Sequence, residues 1–266
     1  MANSLGIILP AYNEEARLGP ALDELFGWLC TARDRVPGMV DVLVVDDGST
    51  DGTADLVRHR REFVTEAGGT GSGDCPTTLR LLTVPHGGKG SAVRAGMLAA
   101  SDDLLVFADA DMATPPDQLP LLVDALADAD VALGSRIQAD GSDMRDSQPR
   151  FRRWVGRVFR FAARIWIGTG PIEDTQCGFK GFRREVAKDL FSRMRITSIV
   201  FDVDLVFLAH KRGYRIVPVP VIWTDRRGSR MHARPKLALR VGWDLLRIRF
   251  LHRGVGRAAA ERATAK

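Results

Sequence analysis

The sequence predicts an α/β protein with a single, mostly parallel sheet covered by helices on both faces. Three observations support this fold class. The chain has 266 residues, enough to bury a substantial core, and 45% of them are hydrophobic. In the amino-terminal half, short apolar runs of strand length alternate with segments of helical periodicity. Strands joined by helical crossovers form parallel sheets.

The elements of the amino-terminal half follow in order from this pattern. Apolar runs predict strands at residues 5–10, 40–45, 79–84, 104–108 and 130–133. Helical periodicity predicts helices from Pro20 through Leu29 and at residues 53–64, 91–100 and 116–127, with Pro20 in a first helical position. In such a sheet we expect ligands outside the carboxyl ends of the strands.

Charge divides the chain near residue 149. Residues 1–149 contain 11 Lys or Arg against 24 Asp or Glu, whereas residues 150–266 contain 27 against 9. Polar residues 138–149 separate the halves, and a Gly- and Ser-rich segment, 67–77, predicts a surface loop. We therefore expect an acidic half at 1–149, a basic half at 150–253 and a frayed tail at 254–266.

The basic half predicts two basic amphipathic helices, at about 150–167 and 236–252. A glycine-containing stretch (174–182), a helix at about 201–212 and an extended run (214–224) lie between them. Pro218 and Pro220 favour an edge strand for that run. The amphipathic helices suit an anionic membrane surface, although they could instead pack on the domain with arginine facing water. Nucleic acid is not expected as a partner because no binding motif accompanies the charge.

Other sequence features restrict the environment of the protein. We expect no transmembrane span, since the longest run free of charged side chains is too short to cross a bilayer. We expect no signal peptide, since the first residues lack a basic n-region and a small-residue cleavage site. Three cysteines without metal-type spacing indicate a reducing, cytoplasmic location.

Aspartates follow two predicted strands at the expected ligand edge. Asp46 and Asp47 follow the second strand, and Asp109 and Asp111 follow the fourth. Two carboxylates separated by one small residue can share a hard divalent cation with phosphate oxygens. Such a cation makes a diphosphate a better leaving group. The other interpretation of an Asp-x-Asp sequence is a solvated turn, but this one ends a very apolar strand.

Two basic groups are predicted at the same edge. Lys89 lies in the Gly-rich segment 87–90, where glycine backbone and a helix N-terminus favour an anion. The segment lacks the spacing of a Walker loop, so a tight structural turn is the alternative. Arg136 follows the fifth strand, in the sequence Gly-Ser-Arg.

Four segments of the amino-terminal half resemble, in the same order, the motifs of family-2 glycosyltransferases: residues 8–15, 44–53, 88–90 and 109–111. The resemblance implies a GT-A fold, a nucleotide-sugar donor and an inverting displacement. It implies that Asp109 and Asp111 flank the diphosphate and a Mg²⁺ or Mn²⁺ ion, as metal ligands. It implies a nucleoside pocket lined by Pro10, Ala11, Tyr12, Glu14 and Asp47. With Lys89, Asp109, Ala110 and Arg136 at the same edge, these are the predicted donor-binding residues.

A narrower resemblance, to dolichyl-phosphate β-glucosyltransferases, covers most of the chain. It rests on residues 89–97, 109–115, 134–136, 174–180, 201–204 and 228–229. It implies transfer of a hexose, first of all glucose from UDP-glucose, to a polyprenyl or dolichyl phosphate. Residues 1–149 would then bind the donor and residues 150–253 the acceptor. Met112 stands where the relatives often have Gly. The membrane anchor usual at the N-terminus of eukaryotic relatives is not recognised here, so we expect peripheral attachment to the cytoplasmic face.

The acceptor determines which chemistry the basic half must supply. An acceptor phosphate is already ionised at neutral pH and needs positive charge more than a general base. Arg136, Lys180, Arg227 and Arg230 are the candidates, and the resemblance adds Asp174, Gln176 and Ser229 to the acceptor site. With a hydroxyl acceptor, Asp174, Asp202 or Asp204 would be the base, although Asp202 and Asp204 could equally cap a helix and pair with charges.

The predicted catalytic set is therefore Asp109, Asp111, Asp174 and Asp202. Transfer of mannose or an N-acetylhexosamine, a soluble acceptor, and a binding protein without activity are the alternatives.

Overall fold

The computed structural model describes residues 2–64, 77–147, 172–224 and 235–258, with Gly156, Ala163, Trp166 and Gly168 as isolated positions. The strands are β1 (Ser4–Ala11), β2 (Met39–Asp46), β3 (Thr77–Thr83), β4 (Leu104–Ala108), β5 (Val131–Ser135), β6 (Phe179–Arg183) and β7 (Ile216–Pro220). The helices are α1 (Glu15–Thr31), α2 (Thr53–Arg58), α3 (Lys89–Ala99), α4 (Leu119–Asp128), α5 (Arg184–Arg193), α6 (Phe201–Arg212) and α7 (Pro235–Leu251). Short 3₁₀ turns lie at Arg33–Arg35, Pro116–Gln118 and Met144–Ser147.

The strands form one sheet in the order β3-β2-β1-β4-β6-β5-β7. Strand β6 is antiparallel to both of its neighbours, β4 and β5, and the other pairs are parallel. Six strands therefore end at one common edge, where β6 begins. The prediction of a mostly parallel α/β sheet is confirmed.

Alternate residues of the central strands face two hydrophobic clusters. In β4, Val106 packs on the face covered by α1, α2 and α4, whereas Phe107 packs on the face covered by α3, α5 and α6. Every side chain of β4 is buried, as expected for a strand covered on both faces. A third, smaller cluster joins α6 to α7 through Val203, Leu245 and Ile248.

Helix boundaries depart from the sequence prediction in two places. Helix α1 begins at Glu15, so Pro20 lies inside it and the predicted start at Pro20 is wrong. One helical hydrogen bond is lost there, because proline has no N–H group. Helix α2 ends at Arg58 rather than at residue 64, and Phe63 instead forms a β-bridge with Leu79.

The basic half contains two elements that the sequence did not reveal. Residues 179–183 form β6, and residues 184–193 form α5. Strand β7 lies at the edge of the sheet, as Pro218 and Pro220 predicted. The second basic helix is confirmed as a helix, α7. The helix predicted at 150–167 and the loop predicted at 67–77 lie almost entirely outside the described residues, as do residues 259–266 of the tail.

In the described part of the chain, every helix is too short or too polar to cross a bilayer.

Candidate active site

The carboxyl ends of β1, β2, β4 and β5 meet the start of β6 at one edge of the sheet. This edge brings together most of the residues that the sequence singled out. Pro10 and Ala11 end β1, where they pair with Val45 and Asp46 of β2. Buried Ala110 follows β4, and Arg136 follows β5.

At the end of β2, the buried Asp47 side chain is held by the segment that follows β3. The backbone N–H groups of Gly87 and Gly88 donate to its carboxylate at 2.8 and 2.9 Å. Gly88 has φ of 87°, a left-handed conformation that favours glycine. His86 lies 2.9 Å from the same carboxylate through Nδ1, and its ring stacks on Tyr12 with centroids 4.2 Å apart. Tyr12 is 39% exposed, so an aromatic side chain is accessible at this edge of the sheet.

Glu14 supports the same region from the start of α1. Its carboxylate accepts a hydrogen bond from Arg17 Nε at 2.6 Å, and its backbone N–H donates to Thr53 Oγ1 at 2.8 Å. Arg17 also approaches Asp111, with Nη1 3.8 Å from Oδ2. The chain from β1 to α1 is thereby connected to the end of β4.

A tight turn orients Asp109 and Asp111 after β4. Met112 has φ of 49° and donates its N–H to the Asp109 carbonyl at 3.0 Å, while Ala113 N–H donates to Asp111 Oδ1 at 3.1 Å. A left-handed φ is costly for a residue with a side chain, so glycine would adopt this turn with less strain. The Met112 side chain is buried in the core, which offsets part of that cost.

The two carboxylates remain accessible. The Asp109 and Asp111 side chains are 33% and 26% exposed. Lys89 Nζ donates to Asp109, and Lys89, Asp109 and Asp111 form one charge cluster. Burial, and then the neighbouring charge of Asp109, raise the pKa of Asp111.

This donor set fits a hard divalent cation whose coordination a ligand completes. No group of three or more His, Cys, Asp or Glu residues within the described ranges is arranged to hold a metal alone. Two adjacent, partly exposed carboxylates that repel each other are stabilised by a cation, and phosphate oxygens can supply further oxygen ligands.

Asp174 is a buried acceptor for two arginines. Arg136 donates to it from its backbone N–H (3.0 Å), Nε (2.8 Å) and Nη2 (2.7 Å), and Arg145 Nη1 lies 3.3 Å away. Burial raises the pKa of Asp174, but the hydrogen bonds and charge of Arg136 outweigh it, so that pKa stands well below its ordinary value. A carboxylate that stays ionised and fully hydrogen-bonded accepts protons poorly near neutral pH.

Lys180 and Asp202 form a second buried pair. Lys180 Nζ lies 2.5 Å from Asp202 Oδ1 and also donates to the Cys177 carbonyl. The Lys180 side chain is fully buried. Its charge is therefore matched inside the protein, and it does not face solvent where an acceptor phosphate would approach. Burial raises the pKa of Asp202 even so.

Asp204, two residues along α6, also has structural partners. Its carboxylate accepts the backbone N–H groups of Arg195 and Ile196 at 3.0 and 3.1 Å, and His252 Nε2 lies 2.6 Å away. The charge-pairing interpretation of Asp202 and Asp204 matches these contacts, whereas the helix-capping interpretation does not, because the N-cap residue of α6 is Val200 and it has no side-chain cap.

Gly178 connects the two sides of the site. A Cβ atom at this position would overlap the Asp109 carboxylate. The backbone that precedes β6 therefore packs directly on the end of β4, and this close approach requires glycine.

The predicted acceptor residues are only partly covered by the structure. Gln176 is partly exposed, and its backbone N–H donates to Asp174 at 3.3 Å. Arg227, Ser229 and Arg230 lie outside the described residues.

Sequence reasoning missed His86, Arg17 and Arg145. His86 directly precedes the Gly-rich segment, and this adjacency was the available signal. Arg17 and Arg145 are surface-type residues in sequence, and only the fold brings them to Asp111 and Asp174.

Comparison with known proteins agrees with this arrangement. The family model described as "Glycosyl transferase family 2" matches residues 6–191. Similar curated proteins are the dolichyl-phosphate beta-glucosyltransferases of Drosophila melanogaster (36% identity; 85% of this chain, 69% of the relative) and Homo sapiens (32%; 92% and 75%). A homologue of the same name from Trichomonas vaginalis is 32% identical over 92% of this chain and 71% of the relative.

Solved structures support the fold. Glucosyl-3-phosphoglycerate synthase from Mycobacterium tuberculosis, in complex with Mn²⁺, UDP and glucosyl-3-phosphoglycerate, superimposes with a TM-score of 0.62 at 21% identity. The match covers 96% of this chain and 82% of that one. The same synthase in complex with phosphoglyceric acid gives a TM-score of 0.63 at 22% identity, over 92% and 80% of the two chains.

Proposed function

This chain belongs to glycosyl transferase family 2, and on that premise we propose that it transfers glucose from UDP-glucose to a dolichyl or polyprenyl phosphate. The acceptor phosphate oxygen attacks the anomeric carbon, the bond from that carbon to the diphosphate breaks, and UDP leaves. A single displacement of this kind inverts the configuration at the anomeric carbon. The names of the relatives support both the sugar and the acceptor.

The observation that carries the proposal is the grouping of Asp47, Asp109 and Asp111 at one sheet edge. The nucleoside would lie beside Asp47 and the accessible Tyr12 side chain, and the partly exposed carboxylates of Asp109 and Asp111 lie at the end of the next strand but one. This order matches the order of base, diphosphate and sugar in a nucleotide-sugar.

Asp109 and Asp111 would hold Mg²⁺ or Mn²⁺ together with the donor diphosphate. When bound, the cation neutralises charge that develops on the departing diphosphate. Lys89, which donates to Asp109, lies close enough to add positive charge at the same place.

On the acceptor side, we assign Arg136 to phosphate binding and Asp174 to holding Arg136. The lowered pKa of Asp174 supports a positioning role rather than that of a base. An ionised acceptor phosphate needs no base. Lys180 and Asp202 then maintain the start of α6 beside the site, and Gln176, Arg227, Ser229 and Arg230 complete the proposed acceptor set.

We further propose that the protein acts as a peripheral protein at the cytoplasmic face of a membrane. A long prenyl chain stays in the bilayer, so a transferase that uses it must work at the surface. The basic character of residues 150–266 supports attraction to anionic lipid.

The test is a donor panel with extracted polyprenyl phosphate in the presence of Mg²⁺ or Mn²⁺, with the product identified by mass. We expect a glucosyl-phosphoryl lipid and UDP, and loss of turnover when a chelator removes the cation. Turnover only with acceptors that lack a prenyl phosphate, or no transfer from any donor, would overturn the proposal.

A further inference from the structure

Helix α7 has apolar side chains on two opposite faces. Leu245 and Ile248 are buried against α6. Trp243, Leu246 and Phe250 are 64%, 50% and 53% exposed. At about 100° per residue the two sets lie on opposite sides of the helix. The exposed set is an apolar stripe that the described part of the chain leaves uncovered.

Basic side chains flank this stripe. Residues 235–258 contain six Lys or Arg and one acidic residue, Asp244. Asp244 is buried, accepts a hydrogen bond from Ser198 Oγ at 2.7 Å and lies 3.8 Å from Arg247 Nη1, so it offsets part of the Arg247 charge. Arg240 and Arg247 lie on one side of the stripe, and Arg249 and Arg253 lie on the other.

A cleft of about 580 Å³ opens beside the stripe, between α6, α7 and Trp166. Trp166, Phe207 and Phe250 supply its apolar lining, and Lys211, Arg249 and Arg253 supply positive charge. Each cation lies over one of these rings, at 4.4 Å for Arg253 on Phe250 and 5.6 Å for Arg249 on Trp166. Among the described residues, none of the three cations pairs with a carboxylate, and none of the residues that line the cleft is acidic.

We propose that this cleft and the adjoining stripe of α7 bind an anionic phospholipid in the bilayer. The headgroup phosphate lies between Arg249, Arg253 and Lys211, while Trp243, Leu246 and Phe250 enter the boundary between headgroups and acyl chains. Arginine suits a phosphodiester because its guanidinium is always charged and donates two parallel hydrogen bonds. The proposal rests on the proposed membrane attachment and names its lipid class and its site.

The site is separate from the active site. The cleft residues Phe207 and Lys211 occupy the carboxyl-terminal half of α6, whereas Asp202 lies at its start. Nine residues of helix separate Asp202 from Lys211, about 13 Å along the axis. Attachment and turnover can therefore be measured independently.

The first test is flotation of the full chain with vesicles of phosphatidylcholine, with and without phosphatidylglycerol. Each positive charge near an anionic leaflet is worth about fivefold in partitioning. The double variant Arg249→Glu/Arg253→Glu should therefore lose about 25-fold or more of its binding to phosphatidylglycerol vesicles, because two positive charges are removed and the two new carboxylates are repelled. Arg35→Glu/Arg58→Glu makes the same charge change on exposed arginines of the acidic half and should lose far less.

The second test concerns the apolar stripe. Trp243→Ala/Phe250→Ala should lower binding about tenfold on vesicles of either composition. Met39→Ala/Leu121→Ala removes two exposed apolar side chains elsewhere and should leave binding unchanged. Equal binding of Arg249→Glu/Arg253→Glu and its control to phosphatidylglycerol vesicles would overturn the inference. It would also be overturned if this variant lost binding to RNA while its binding to vesicles stayed unchanged.

Failure of this inference can be distinguished from failure of the proposed function. The cleft and stripe variants should retain wild-type turnover on a short, water-soluble prenyl phosphate. If the wild type transfers no sugar but still binds phosphatidylglycerol vesicles through Arg249 and Arg253, only the proposed function fails.

Discussion

The two sides of the candidate site handle charge in opposite ways. On the donor side, the Asp109 and Asp111 carboxylates are a quarter to a third exposed and share Lys89 and Arg17 as partners. On the acceptor side, Asp174 is fully buried beneath Arg136 and Arg145, and Lys180 is fully buried against Asp202.

This difference separates charges available for ligand binding from charges that maintain the fold. An exposed carboxylate exchanges a protein partner for a ligand at small cost, whereas a buried ion pair loses several kcal/mol when one partner is removed. We therefore expect substitutions of Asp109 and Asp111 to change activity, and substitutions of Asp174, Lys180 and Asp202 to change stability first.

The largest effect is expected at the donor carboxylates. Asp109→Ala and Asp111→Ala should each lower turnover by about three orders of magnitude or more, because diphosphate departure loses its cation ligand. Thermal unfolding should shift little, since both side chains are partly exposed. Asp103→Asn, at the other end of β4, is the control and should stay active. Retained turnover in either alanine variant would remove that residue from the metal site.

The next effect is a loss of folding stability at the buried Lys180–Asp202 pair, comparable in free energy with the loss of turnover at the donor carboxylates. Lys180→Met leaves the Asp202 charge buried without its partner, which costs about 3–5 kcal/mol of unfolding free energy. Lys180→Met/Asp202→Leu should recover much of this loss. Arg58→Ala, at the exposed Arg58–Asp55 pair, should cost less than about 0.5 kcal/mol. Urea unfolding measures the free energy of unfolding of all three variants. An unchanged midpoint for Lys180→Met would contradict the assignment of the buried pair to stability.

Gly178 tests the contact between the two sides. Gly178→Ala places a methyl group against the Asp109 carboxylate and should lower turnover about a hundredfold by moving it. In Gly181→Ala, three residues later and within β6, the new Cβ lies 3.0 Å from the end of the Leu126 side chain, which can move. Its activity should stay near that of the wild type. Similar activities of the two variants would show that Asp109 tolerates displacement.

The smallest effect concerns stability at low pH. Because the folded-state pKa of Asp174 lies below its unfolded value, ionised Asp174 stabilises the fold above about pH 5, and that contribution is lost as the pH falls toward the folded-state pKa. Asp174→Asn should lower the free energy of unfolding by about 2 kcal/mol at neutral pH. It should also make that free energy depend less on pH in the acid range. Asp140→Asn, on the surface, is the control. A wild-type acid transition in Asp174→Asn would contradict the assignment.

Local sequence predicted the donor side better than the acceptor side. The residues around Asp47 and Asp109 follow apolar strands, so their place at the sheet edge depends on periodicity and topology alone. Residues 179–183 contain Lys180 and Gly181, which local sequence does not indicate as a buried strand. Lys180 can be buried there because it contacts Asp202, 22 residues later. The strained backbone at Met112 was likewise invisible until the turn after β4 was seen.

The same limit applies to helix boundaries and to single side chains. Pro20 suggested a helix start, but the helix extends five residues further back because Leu18 packs in the core. His86 and Arg145 have no periodic pattern around them, and their contacts with Asp47 and Asp174 join segments about 30 to 40 residues apart.

Strand β6 has a consequence for how such chains can evolve. It comes from the basic half, yet it pairs on both edges with strands of the acidic half. Cutting the chain near residue 149 would leave β4 and β5 with open facing edges, a state that invites aggregation. Recombination between relatives therefore cannot exchange the acceptor half as one unit unless the new β6 also pairs with β4 and β5. New acceptor preferences have to arise by substitution around the existing strand.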